Sequence, residues 1–221
     1  MLEELTRLYD AYVDTYREAD GELPVMMRLK RVHTGFVVKN AEAIADGENF
    51  TAEEREVSLA AALLHDTGRY EQLKRYNTFK DSDSIDHAVF SHDIVKEKGW
   101  LDKVEVKGLG LQWKDAILKA VLYHNRRDLP PEIEQSNNPN NRTILGAASH
   151  TVRDADKLDI FRVLRIRSSI RTGRVIRGRS GTLRSRRRRI RSWSSALRRG
   201  GPSTTRTSSR FRTSCSSRSD G

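Results

Sequence analysis

The stretch Ala60-Ala-Ala-Leu-Leu-His-Asp-Thr-Gly-Arg-Tyr70 is an apolar helical run that stops abruptly at adjacent His65 and Asp66, with Gly68 two residues on. An imidazole and a carboxylate therefore stand at the end of what reads as a core helix. Each is costly to remove from water without a partner. A histidine nitrogen beside a carboxylate oxygen is a natural ligand pair for a borderline divalent metal. The dipeptide alone is a weak signal, so its meaning depends on what the other helices bring to the same interior.

Upstream, Thr51-Ala-Glu-Glu reads as an N-cap with acids in the first turn, opening a helix through Val57, Ala61, Leu64 and His65. Before it, Pro24 opens a helix to Asp46-Gly47 whose apolar stripe runs Leu29, Val32, Phe36, Val37, Asn40, Ile44, with His33 on that stripe. The first helix, from Leu2 to about Asp20, carries Leu5, Leu8, Tyr9, Tyr12 and Tyr16 and stops near Gly21. Downstream, Tyr70 to Asp86 is polar and broken, which predicts a long loop. A fourth helix from about Ile85 to Glu97 puts His87, Phe90, Ser91 and Ile94 on one face and His92 off it. Asp115 to His124 forms a fifth, with Ile117, Ala120, Val121 and His124 at core spacing. After Pro130-Pro131 and the Asn-rich stretch 137–141, a last helix runs from Arg142 to about Leu164 through Leu145, Ala148, Val152, Ala155, Leu158 and Phe161. No period-two strand appears, so the body is all-α.

Charge divides the chain of 221 residues in two. Of 41 basic and 30 acidic residues, 18 Arg and Asp220 alone lie in 165–221, so that segment carries +17 and the remainder −6. The whole-chain +11 describes the tail, and the body reads as an ordinary, mildly acidic domain. Cys215, the only cysteine, provides no disulfide framework, which makes a reducing, cytoplasmic setting the expectation. The charged, amphipathic N-terminus does not read as a signal peptide, and no stretch reads as a membrane span.

Four helices thus each place one histidine on a stripe expected to face the core: His33, His65, His87 and His124. Buried imidazoles need partners for both nitrogens. Four of them converging on one interior, joined by Asp66, point to a shared cation. Asp156 lies four residues after Val152 and four before Ile160, which tilts it inward; Asp154 and Asp159 read as solvated, and His150 as a surface residue. Such donors suit Mn, Fe, Co, Ni or Zn, one ion or two, with Mg a further candidate.

The order His33, His65-Asp66, His87, His124, Asp156 resembles the HD-domain metal-dependent phosphohydrolases, as do the phrases Leu63-Leu-His-Asp-Thr-Gly-Arg69 and Arg153-Asp-Ala-Asp-Lys-Leu-Asp159. The resemblance covers residues 24–164 of a body spanning 1–164 and implies an HD-type helical bundle. It implies that His33, His65, Asp66 and Asp156 hold one metal, with Asp66 bridging to a second at His87 and His124. In one-metal members those two histidines contact phosphate. Ser91 stands where the family often has glycine. The implied reaction is hydrolysis of a phosphoester, of nucleotide or cyclic-nucleotide type, by water that the metal activates. Cations must hold the remaining phosphate oxygens, and Arg69, Lys74, Arg75 and Lys80 follow the motif. Asp66, Arg69 and Lys74 are accordingly the expected catalytic residues, with Lys157 a further cation.

The segment 165–221 does not continue the bundle. Arg, Ser, Thr and Gly dominate it, and residues 186–189 are four consecutive Arg. It reads as a disordered extension that binds nucleic acid, as a solvated tail, or as out-of-frame translation of a GC-rich gene after about residue 164. The last reading is favoured, because the switch falls abruptly within a helix. Translation of the coding DNA in its other two frames tests it: an amphipathic helical continuation is expected in one of them. The rival to an enzyme is a nucleic-acid-binding protein acting through this tail, and a third reading is a metal-binding HD protein without catalysis.

Overall fold

The computed structural model describes residues 1–106, 110–137 and 142–171. The chain divides into two units, Met1–Ser180 and Gly181–Gly221, and every described residue belongs to the first. The expectations for the Arg/Ser-rich segment beyond Arg171 lie outside the described residues.

Eight α-helices are described: α1 (Leu2–Asp14), α2 (Val25–Gly47), α3 (Ala52–Leu64), α4 (Gly68–Tyr76), α5 (His87–Glu97), α6 (Gln112–Tyr123), the single turn α7 (Pro131–Glu134) and α8 (Ile144–Arg171). No strand occurs among the described residues, so the fold is all-α as expected. None of these helices is long and apolar enough to cross a membrane.

The organising element is α3. Thr51 and Glu54 close a full capping box at its start, and every residue from Val57 to Leu64 is buried. α3 packs against α8, α2, α6 and α1. Apart from Glu54 and Ser58 its buried residues are apolar, and the small side chains of Ala60, Ala61 and Ala62 let neighbours approach closely. α3 ends at Leu64, just before His65 and Asp66, and the Thr67 hydroxyl donates back to the Leu64 carbonyl at 2.9 Å.

α4 then begins within van der Waals contact of α5. A Cβ on Gly68 would stand 2.7 Å from the Ser91 backbone nitrogen and 3.0 Å from the His87 carbonyl oxygen, so only glycine fits. The Gly68 N–H donates to the Ser91 hydroxyl at 2.8 Å, and that hydroxyl donates to the His87 carbonyl at 2.7 Å. Ser91 is thus the seam between the motif and α5.

Four expectations are corrected here. Tyr70 to Asp86 is not a long loop: α4 runs to Tyr76, Asn77 closes it in the left-handed region at φ 51°, and a short 3-10 turn follows at Asp81–Asp83. Its anchor is Gln72, fully buried, whose amide donates to Asp81, Ser84 and the Ile85 carbonyl, so polar pairing holds a segment that lacks apolar periodicity. α1 ends at Asp14 rather than near Gly21, and beyond it Arg17 pairs with Asp14 and the Gly21 carbonyl. On α2 the buried face is Met27, Thr34, Val37, Ala41 and Ala45, while Leu29 and Val32 are exposed. On α8 the buried face is Ala148, Val152, Ala155 and Asp159, leaving Leu158 and Phe161 exposed and burying the carboxylate expected in solvent.

Candidate metal centre

The ends of α3, α5 and α6 and the flanks of α2 and α8 meet at Asp66, which is 3% exposed. Its Oδ2 lies 3.5 Å from His33 Nε2 and 3.5 Å from His65 Nε2. Its Oδ1 lies 3.6 Å from His87 Nε2 and 3.9 Å from His124 Nε2. Asp156 Oδ1 completes the first group, 3.1 Å from His33 Nε2 and 4.0 Å from His65 Nε2. One carboxylate therefore spans two groups of nitrogen donors. His33, His65 and Asp66 form one set spaced to hold a metal ion, and Asp66, His87 and His124 another.

The other ring nitrogens decide what those Nε2 atoms are. His65 Nδ1 is 2.8 Å from the Ala62 carbonyl, and His124 Nδ1 is 2.7 Å from the Val121 carbonyl. His33 Nδ1 is 2.7 Å from Asp159 Oδ2, and His87 Nδ1 is 2.5 Å from Asp81 Oδ2. Carbonyl and ionised carboxylate oxygens only accept, so each Nδ1 carries a proton, and each ring turns its Nε2 to the interior. His33 Nε2, His65 Nε2 and Asp66 Oδ1 are buried without a hydrogen-bond partner. His87 and His124 face one another with Nε2 atoms 3.1 Å apart. Lone pairs converging on a carboxylate repel unless a cation lies among them, and the donor set fits a divalent transition metal.

The electrostatics differ from ring to ring. Burial pushes the His124 pKa down to about 3, helped by His65, and burial likewise lowers His87, so both are neutral donors near pH 7. Burial also opposes the charged form of Asp66, yet Lys30 and the surrounding imidazoles hold its carboxyl well below the usual range. For His65, burial is outweighed by Asp66 and Asp156, which raise its pKa.

A cavity of about 1110 Å³ opens onto this centre. Met26, Leu29 and Val32 of α2 and Ile160, Val163 and Leu164 of α8 give it an apolar wall; Lys30, Arg69, Arg126, Arg127, Arg153 and Lys157 give it positive charge. Both apolar rows continue the helix faces that bear His33 and Asp156.

The structure thus brings together all six expected metal-ligating residues, His33, His65, Asp66, His87, His124 and Asp156. Arg69 lines the cavity, with its Nε 3.4 Å from Asp66 and its NH1 bonded to Gln72, Asp81 and the Phe79 carbonyl. Lys74 does not line it: its ammonium lies over the Tyr16 ring. Arg75 pairs with Glu71 and Lys80 with Asp83, both away from the cavity. His92 and His150 stay outside the centre, as expected, beside Asp93 and the Ile133 carbonyl. Sequence reasoning missed Lys30, 2.6 Å from Asp66 Oδ2, and Asp81, both of which looked like ordinary surface charges. It also placed Asp159 on the wrong side of its helix. The signal available for Asp159 was its i,i+3 spacing from Asp156.

Comparison with curated proteins and with solved structures finds no match. The family model described as HD domain matches residues 32–160, more than half of the chain and the interval from the segment bearing His33 to that bearing Asp156. With the fold, the ordered ligands and this match in agreement, the chain belongs to the HD domain family.

Proposed function

We propose that this protein hydrolyses a phosphoester, of nucleotide or cyclic-nucleotide type, with His33, His65, Asp66 and Asp156 holding one divalent metal and His87 and His124 joining Asp66 at a second. The observation that carries this reading is the set of four rings with Nδ1 engaged and Nε2 turned toward one buried carboxylate. When bound, such a metal lowers the pKa of water to the neutral range and offsets charge on the phosphoryl group. Membership in a family of metal-dependent phosphohydrolases supports the reaction class.

The chain's own residues supply the rest. Asp66 joins the two groups of donors, while Lys30 and Arg69 flank it and line the cavity, where phosphoryl oxygens need positive partners. Arg69 is held in place by Asp81 and Gln72, which pre-orients it. Arg127 and Lys157 add positive charge to the lining for further phosphate, and the apolar wall on α2 and α8 suits the face of an organic group such as a base.

Elemental analysis of the purified chain beside its Asp66→Ala variant tests the proposal, followed by a panel of phosphoesters with Mn. One or two equivalents of transition metal, lost in the variant together with hydrolysis, are expected. Folded, helical protein that takes up no metal after reconstitution with Mn or Fe would overturn it.

A further inference from the structure

We propose that Asp159 is a positioning residue: it fixes the tautomer and orientation of His33, the one donor that α2 brings to the centre. Asp159 is fully buried, and its Oδ2 lies 2.7 Å from His33 Nδ1. Its Oδ1 accepts from Arg162 Nε at 2.5 Å. The Arg162 guanidinium in turn lies 3.8 Å from the centroid of the Phe36 ring. Phe36 stands three residues after His33, so the path His33, Asp159, Arg162, Phe36 starts on α2, crosses to α8 and returns to α2.

This arrangement differs from that of His65 and His124. Each of those rings is held by a carbonyl three residues back on its own chain segment, and that local bond persists wherever the helix packs. His33 finds its acceptor 126 residues away, so its aim depends on how α2 and α8 meet. A carboxylate acceptor also makes the imidazole a stronger donor than a carbonyl does, and losing such a partner typically costs about 10–100-fold in metal affinity. Asp159 holds the proton on Nδ1 and leaves the Nε2 lone pair facing Asp66 and Asp156. Without it, the ring is free to carry the proton on Nε2, where it blocks coordination.

The inference rests on the metal-centre reading, and its test has one arm that needs no metal. In metal-free, full-length protein, nitrogen-detected NMR of the imidazoles reports each tautomer. Asp159→Ala should change the His33 signals alone, leaving His65 and His124 with Nδ1–H, since their carbonyl acceptors are untouched. In the second arm, Mn titration should show affinity at the group containing His33 about 10–100-fold weaker in Asp159→Ala, with the group containing His87 and His124 unmoved. Asp159→Asn, nearly the same shape without the charge, covers the case in which the alanine variant does not fold, and should lose about 10-fold. Wild-type His33 signals with wild-type Mn affinity in a folded variant would overturn the proposal. So would equal changes at all four rings, which would mark Asp159 as merely structural. If the wild-type chain binds no Mn, the metal reading fails while the tautomer comparison still decides the role of Asp159.

Discussion

The two sides of Asp66 each present a pair of histidines, but only the His33 side adds Asp156, and the pairs are held differently. Each has one histidine backed by a carbonyl of its own segment and one backed by a carboxylate. On the His33 side the carboxylate, Asp159, is fully buried on the long helix α8. On the His87 side it is Asp81, one-third exposed, on a three-residue 3-10 turn, shared among His87, Arg69 and Gln72. A donor whose support sits in a packed helix pair is fixed by the core, whereas one whose support sits on a surface turn is fixed only as well as that turn. The centre therefore has a side set by the bundle and a side set by a local polar network.

The largest expected effect removes both sides at once. Asp66→Ala takes away the oxygens facing all four rings, and elemental analysis should find no bound transition metal. Next, Asp81→Asn should weaken Mn binding at the His87 side by about tenfold, or about 1.4 kcal/mol, with the His33 NMR signals unchanged. Equal loss on both sides would erase the contrast. Gly68→Ala pushes a Cβ into the α5 backbone at Ser91 and His87, so it should destabilise the fold by about 2 kcal/mol and disturb the His87 side before the His33 side. Thermal melts with Mn titration check both parts.

The smallest effect concerns stability remote from the centre, where Arg142 binds Glu54 through two guanidinium nitrogens. Burial opposes the charge on Glu54, but Arg142 and the Thr51 amide lower its pKa on balance. A depressed carboxyl pKa contributes stability above its usual value of 4.5 that is lost as pH falls through the lower folded-state value. Glu54→Gln should cost about 1 kcal/mol at neutral pH, and its melting temperature should fall less steeply than wild type below about 4.5. Parallel curves would show that the pair contributes nothing.

Much of the fold was legible because helices announce themselves by spacing, and the capping box at Thr51 marks the start of α3 in four residues. The histidines were legible for a related reason: an imidazole on an apolar face is conspicuous. What failed were judgements about which flank of a helix is buried. Val152 and Ile160 appeared to bracket Asp156 on the core face of α8, yet Ile160 is 45% exposed and Asp159 is buried. A charged residue earns its place in a core through partners on other helices, and no local periodicity displays those partners. α4 was missed on similar grounds, since Gln72 is buried by hydrogen bonds that its neighbours in sequence complete only once the segment folds.

From the chain alone one reads a helical body, four histidines and two aspartates that belong together, and a change of composition after Leu164. Those properties follow from residue chemistry and spacing along one chain. Only the tertiary structure places Lys30 against Asp66, sets Asp81 beside His87 and Asp159 beside His33, and continues the faces bearing His33 and Asp156 as an apolar wall. Each depends on the angle and register at which two helices meet, and that is set by the packing of the whole core.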